Sequence, residues 1–123
     1  MSALTAFDAD VLIYAAVPGH PLGSRVATLI DRVGGLGSVM LLPEVLTKPL
    51  RTDPGSEEVA ELARLLARLQ LLPFDDPTAR LAVSLGARYG LRAADAAHLA
   101  TAVAAGADRF LTNNHTDFSA AIT

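Results

Sequence analysis

Acids recur where apolar runs stop. Asp8 and Asp10 follow Leu4–Phe7, and Glu44 follows Ser38–Leu42 and Pro43. Thr112, Asn113, Asn114 and Asp117 close the run that starts at Arg109. If those runs are neighbouring buried strands, the polar residues after them converge on one crevice. Several carboxylates in a water-accessible crevice repel one another, and a hard divalent cation with oxygen ligands is the usual remedy. Two such ions about 4 Å apart can activate a water and stabilise the leaving oxygen in phosphodiester cleavage. The pattern therefore suggests Mg²⁺ or Mn²⁺ and a phosphate substrate. Asp95 belongs with the set. It stands among Ala93, Ala94, Ala96 and Ala97 near the start of an expected helix, where the helix dipole is positive.

The elements that would position these residues alternate. A strand is expected to end near Asp8, with Val11–Ala16 a short helix that Pro18 and Gly19 break. Val26, Leu29, Ile30 and Val33 are spaced for a helix from about Pro21 to Arg32, stopped by Gly34-Gly35. Ser38–Leu42 reads as a second strand, and Pro43 suits the first turn of the helix carrying Glu44. Lys48–Ser56, with two prolines and a glycine, reads as a loop. Val59, Leu62, Leu65, Leu66 and Leu69 share one helical face, and Leu71–Phe74 is a third strand. Asp76 looks like an N-cap, with Pro77 opening a helix to about Tyr89. A helix from Arg92 to Ala105, closed by Gly106, precedes a fourth strand, Arg109–Thr112. Strands alternating with helices predict an α/β fold, with a central parallel β-sheet and helices on both faces. In such sheets the working site lies at the carboxyl ends of the strands.

Composition narrows the chemistry. The 123 residues suit one domain, residues 1–123, and 51% apolar against 19% charged residues excludes disorder. With no cysteine, disulfide scaffolds, zinc fingers and thiol nucleophiles are excluded. Thirteen acids against ten bases give a net charge of −3, not the basic footprint of an ordinary nucleic-acid binder. No leader and no apolar run near the ~20 residues of a membrane span is evident, so a cytoplasmic protein is expected, with no membrane partner.

Four segments carry a family resemblance: Phe7-Asp8-Ala9-Asp10-Val11-Leu12-Ile13-Tyr14, Pro43-Glu44-Val45-Leu46, Ala94-Asp95-Ala96-Ala97-His98-Leu99-Ala100-Thr101-Ala102, and Phe110-Leu111-Thr112-Asn113-Asn114-His115-Thr116-Asp117-Phe118. In this order and spacing, from about Ala3 to Phe118, the chain resembles a PIN domain, and within that superfamily the small VapC-like toxins. The resemblance implies a metal-dependent endoribonuclease, the toxin of a toxin–antitoxin pair. Water would attack the RNA phosphodiester in line and leave a 5′-phosphate. It implies Asp8, Glu44 and Asp95 as catalytic metal ligands, and an antitoxin and a second copy of the chain as partners. The chain departs from the pattern where many members carry a further Asp and this one has Asn113 and Asn114. Asn114 can offer a carbonyl oxygen to the metal, and Asp117 is expected to supply the missing carboxylate. A non-catalytic PIN-like module that binds RNA or protein is the alternative this departure motivates.

The remaining polar residues fall into two groups. Asp10, Thr112, Asn113 and His98 are expected to support the metal ligands rather than hold the ion. Asp10 can cap the next helix and orient Asp8, while His98 shares a helix face with Asp95. Lys48 and Arg51, one and two turns beyond Glu44, and Arg92, one turn before Asp95, are candidates for holding RNA phosphates.

Overall fold

The computed structural model describes residues 3–113. Asn114 and Asp117 lie outside the described residues. The elements are β1 (Thr5–Phe7), α1 (Ala9–Ala15), α2 (Pro21–Val33), β2 (Gly35–Ser38), α3 (Leu41–Thr52), α4 (Glu57–Ala67), β3 (Leu69–Leu72), α5 (Asp76–Tyr89), α6 (Ala93–Ala104) and β4 (Arg109–Leu111). All strand pairs are parallel, in the order β3-β2-β1-β4. The expected α/β architecture with helices on both faces is present.

The order explains the layers. The chain steps from β1 to β2 to β3 in one direction, then crosses back past β1 to place β4 at the other edge. Crossovers between parallel strands are right-handed, so reversing direction moves the connecting helices to the opposite face. Accordingly, α1 to α4 pack together on one face around Phe7, Leu12, Ile30, Leu41, Val45 and Leu65. The other face buries Ala6, Leu36 and Ala102, with Phe110 packed alongside. Side chains alternate across a strand, and register follows. Ala6 pairs with Leu36 and Phe110 on one face, while Phe7 pairs with Leu111 on the other. Helices α5 and α6 form their own seam through Ala82, Ala96 and Ala100. The carboxyl ends of β1 and β4 form the point where strand order reverses, the crevice position of open α/β sheets.

Several boundaries differ from the expectations. The second strand is Gly35–Ser38, and Leu41–Leu42 already belong to α3. A Gly-Leu-Gly-Ser segment has little strand propensity, but it pairs with a neighbour on each side. Gly35 also fits where nothing larger would: a Cβ there would stand 2.5 Å from Phe7 Cε2 and 2.8 Å from the Thr5 carbonyl oxygen. The third strand is Leu69–Leu72, two residues earlier than expected. The expected Lys48–Ser56 loop begins only after Thr52, because α3 runs through Pro49. Proline there removes one helical hydrogen bond, while Leu41 and Val45 anchor the helix in the core. Asp75, not Asp76, caps α5.

Gly23 lets α2 approach α1. A Cβ at Gly23 would sit 1.9 Å from the Tyr14 carbonyl oxygen, a backbone atom that cannot swing away. Gly23→Ala should therefore cost about 1–3 kcal/mol in urea unfolding. Gly55→Ala, where a Cβ meets nothing closer than 3.8 Å, should stay within about 0.5 kcal/mol of wild type. Equal effects at the two positions would contradict this packing.

The α5 cap predicts a pH dependence. Asp75 Oδ1 accepts from the Thr78 hydroxyl at 2.7 Å and from the Thr78 backbone N–H at 3.1 Å. The hydroxyl bond first, then the amide bond, hold the Asp75 carboxyl below its ordinary value. The ionised cap thus stabilises the fold above the unfolded-state value, and this contribution disappears as pH falls through the lowered native value. The stability gap between wild type and Asp75→Ala should be full at neutral pH and close below about pH 4. A gap independent of pH would show that the charged cap contributes nothing.

Candidate active site

Asp8, Asp10, Glu44 and Asp95 all stand at helix starts. Asp8 is the N-cap of α1, its Oδ1 accepting from the Ala9 N–H at 2.8 Å. No loop separates β1 from α1, so Asp8 stands buried at the strand's carboxyl end and Asp10 follows in the first helical turn. Glu44 lies in the first turn of α3, and Asp95 in the first turn of α6. Their carboxylates share the favourable end of the helix dipole.

Strand β4 fastens the two β1-end acids. Its Leu111 carbonyl accepts the Asp8 N–H at 2.9 Å, which extends the ladder one residue past β1. The Thr112 hydroxyl donates to Asp8 Oδ2 at 2.7 Å, and the Asn113 backbone N–H donates to Asp10 Oδ2 at 3.1 Å. Thr112 and Asn113 thus contact Asp8 and Asp10, respectively. Asp10 Oδ1 is buried with no hydrogen-bond partner. Burial pushes the Asp10 carboxyl above its ordinary value, and the Asp8 carboxylate adds to the rise. The Asn113 and Val11 N–H groups pull it down, and Glu44 contributes a further, smaller rise. Asp10 therefore senses both Asp8 and Glu44 electrostatically.

The other two acids have partners. Glu44 Oε2 accepts from His98 Nε2–H, which fixes the imidazole tautomer because a carboxylate can only accept. His98 is buried in α6, on the opposite face of the sheet from α3, so this bond ties the two helical layers together beyond the strand ends. Helix spacing alone paired His98 with Asp95. The structure turns it to Glu44, 54 residues away, a contact with no local sequence signal. Asp95 is buried and pairs with Arg92 at 3.4 Å, while most of the Arg92 side chain remains in solvent. Lys48 and Arg51 lie on the α3 face that begins at Glu44. With Thr47 and Thr52 they line a shallow depression of about 560 Å³.

As the side chains stand, no three His, Asp or Glu groups among the described residues converge to hold a metal ion. Glu44 is engaged by His98 and Asp95 by Arg92. The donor set nevertheless fits a hard divalent cation. It is all oxygen, its carboxylates repel, and a buried Asp10 oxygen lacks any donor. Asn114 and Asp117, the remaining expected members, lie outside the described residues.

The chain is thus a parallel α/β fold with acids following its central strands. A family model narrows the class: the PIN domain model matches residues 6–121, and the chain belongs to the PIN-domain family, whose members are generally nucleases. A chain from a toxin–antitoxin complex of Klebsiella pneumoniae has the same fold, with a TM-score of 0.76. It is 23% identical, and the match covers 97% of this chain and 92% of that one. A search of curated proteins found no significant match.

Thr112 supplies a direct check of this geometry. Thr112→Val keeps the volume but removes the donor to Asp8, and should cost about 1.5–3 kcal/mol. Thr112→Ser, which keeps the hydroxyl, should cost less than about 1 kcal/mol. Urea unfolding of both variants distinguishes the hydroxyl from mere packing.

Proposed function

We propose that the protein is a Mg²⁺- or Mn²⁺-dependent endoribonuclease, the toxin of a toxin–antitoxin pair, acting in the cytoplasm as one domain over residues 1–123. The reading is supported by Asp8 capping α1 at the β1 carboxyl end, by Glu44 and Asp95 in the first turns of α3 and α6, and by the PIN fold. These three residues would hold the cation, with Asn114 and Asp117 as proposed further contributors. When bound there, the ion supplies Lewis acidity toward phosphate oxygens and a more acidic water.

The chain's own residues do the rest. Thr112 keeps Asp8 pointed into the crevice, and His98 holds Glu44 from the opposite layer. Lys48 and Arg51 make no ion pair with the described residues and remain available to seat phosphates of the RNA backbone. Arg92 shields Asp95 and can exchange that partner for phosphate. Such contacts position the strand without reading its sequence.

The partner reading has support of its own. The structural neighbour comes from a toxin–antitoxin complex. Val83 is 72% exposed beside an apolar groove between α5 and α6 of about 460 Å³, lined also by Phe74 and Leu91. Proposed partners are an antitoxin and a second copy of the chain. No helix among the described residues is long and apolar enough to cross a membrane.

Asn113, where a further acid was expected, favours one other reading, a non-catalytic PIN module that binds RNA or protein. Cleavage of a labelled RNA separates the two. The purified protein should cut in Mn²⁺ or Mg²⁺ and not in chelator. Asp8→Asn and Asp95→Asn should each lower the rate at least about 100-fold, since even residues that only orient metal ligands cost 10–100-fold. Variants that cut as fast as wild type would exclude these residues. RNA binding with no metal-dependent cleavage would establish the non-catalytic module.

A further inference from the structure

We infer that Asp10 is itself a ligand of the divalent ion, supplying a carboxylate at the carboxyl end of β4. The inference rests on the nuclease reading and changes the role of a residue expected only to orient Asp8. At the carboxyl end of β4 the chain places Asn113, which carries no charge. The carboxylate standing at that strand end belongs instead to Asp10, whose Oδ2 accepts the Asn113 backbone N–H at 3.1 Å. The contact joins residues 103 positions apart. It ties the Asp10 side chain to the end of β4, as the Thr112 hydroxyl ties Asp8.

The two fastenings leave different remainders. Both oxygens of Asp8 have donors, Ala9 N–H on Oδ1 and Thr112 on Oδ2. Glu44 is engaged by His98, and Asp95 by Arg92. Asp10 has one oxygen in use, and its Oδ1 is buried without a donor. No ion pair among the described residues includes Asp10. A residue that merely oriented Asp8 or capped α1 would use its oxygens on protein donors. Here the Asp8 side chain is held by Ala9 and Thr112, with no bond from Asp10. A buried carboxylate oxygen without a partner, beside other carboxylates, is costly unless a cation fills the place. An oxygen-coordinated divalent ion supplies that partner.

The test reads metal binding and metal-free stability together, on wild type, Asp10→Asn and Asp10→Ser stripped of metal with chelator and dialysed. Asn keeps a carbonyl oxygen for the Asn113 N–H and replaces the other oxygen with a neutral amide nitrogen. Titration with Mn²⁺ in a calorimeter should show affinity at least about 10-fold weaker in both variants. The metal-free Tm of Asp10→Asn should equal or exceed wild type, because a buried like charge has been removed. Activity does not enter either reading. An Mn²⁺ Kd within twofold of wild type in both variants would overturn the inference. So would weaker binding accompanied by a lower metal-free Tm for Asp10→Asn, the mark of a structural residue. Asp8→Asn in parallel separates the inference from the reading beneath it. If Asp8→Asn loses Mn²⁺ and the Asp10 variants do not, the nuclease reading stands and Asp10 is not a ligand. If wild type neither binds Mn²⁺ nor cleaves RNA in its presence, both fall.

Discussion

Like-charged carboxylates gathered at one sheet edge set the terms for the rest of the molecule. Asp8 is buried at the end of β1, Asp10 feels both Asp8 and Glu44, and Asp95 is buried at the start of α6. Burying such groups together opposes folding, and every element around them limits that cost. Helix starts offer their positive ends, β4 donates a hydroxyl and an amide, and His98 and Arg92 each take one acid. Among the described residues, Asp10 Oδ1 and His98 Nδ1 are left buried without a partner, and Asp10 Oδ1 is the one carboxylate oxygen of the two.

Topology makes that crowding unavoidable. Because β4 returns to the far side of β1, β1 lies between β2 and β4, where the strand order reverses. Its carboxyl end therefore meets β4 directly, while α3 and α6 approach from opposite faces and meet through Glu44 and His98. The net charge of −3, which argued at first against a nucleic-acid substrate, takes a different meaning once Asp8, Asp10 and Glu44 stand near one another. A divalent ion there would offset part of the local negative charge, and Lys48 and Arg51 would extend the attraction along α3.

Much of this was legible in the sequence. Asp8, Glu44 and Asp95 announced themselves by following apolar segments or opening helices, and alternating elements predicted the parallel sheet. The boundaries of β2 and β3 were harder. Gly35–Ser38 forms a strand because two neighbours pair with it and because Phe7 leaves room only for glycine, facts of packing rather than propensity. Pro49 looked like the start of a loop, yet the buried Leu41 and Val45 keep α3 running past it. Within the site, the His98–Glu44 and Asp10–Asn113 contacts span 54 and 103 residues. No periodicity or spacing rule connects positions so far apart. The roles of Asn114 and Asp117 rest on the sequence alone.

The central claim is that this carboxylate edge is a divalent-metal site. Anomalous diffraction from crystals of the full chain soaked in millimolar Mn²⁺ tests it most directly. The expected result is a Mn²⁺ peak in direct contact with Asp8 and Asp10, with Glu44 or Asp95 turned toward it. A well-ordered, accessible edge with no peak, or Mn²⁺ bound only elsewhere on the molecule, would contradict it.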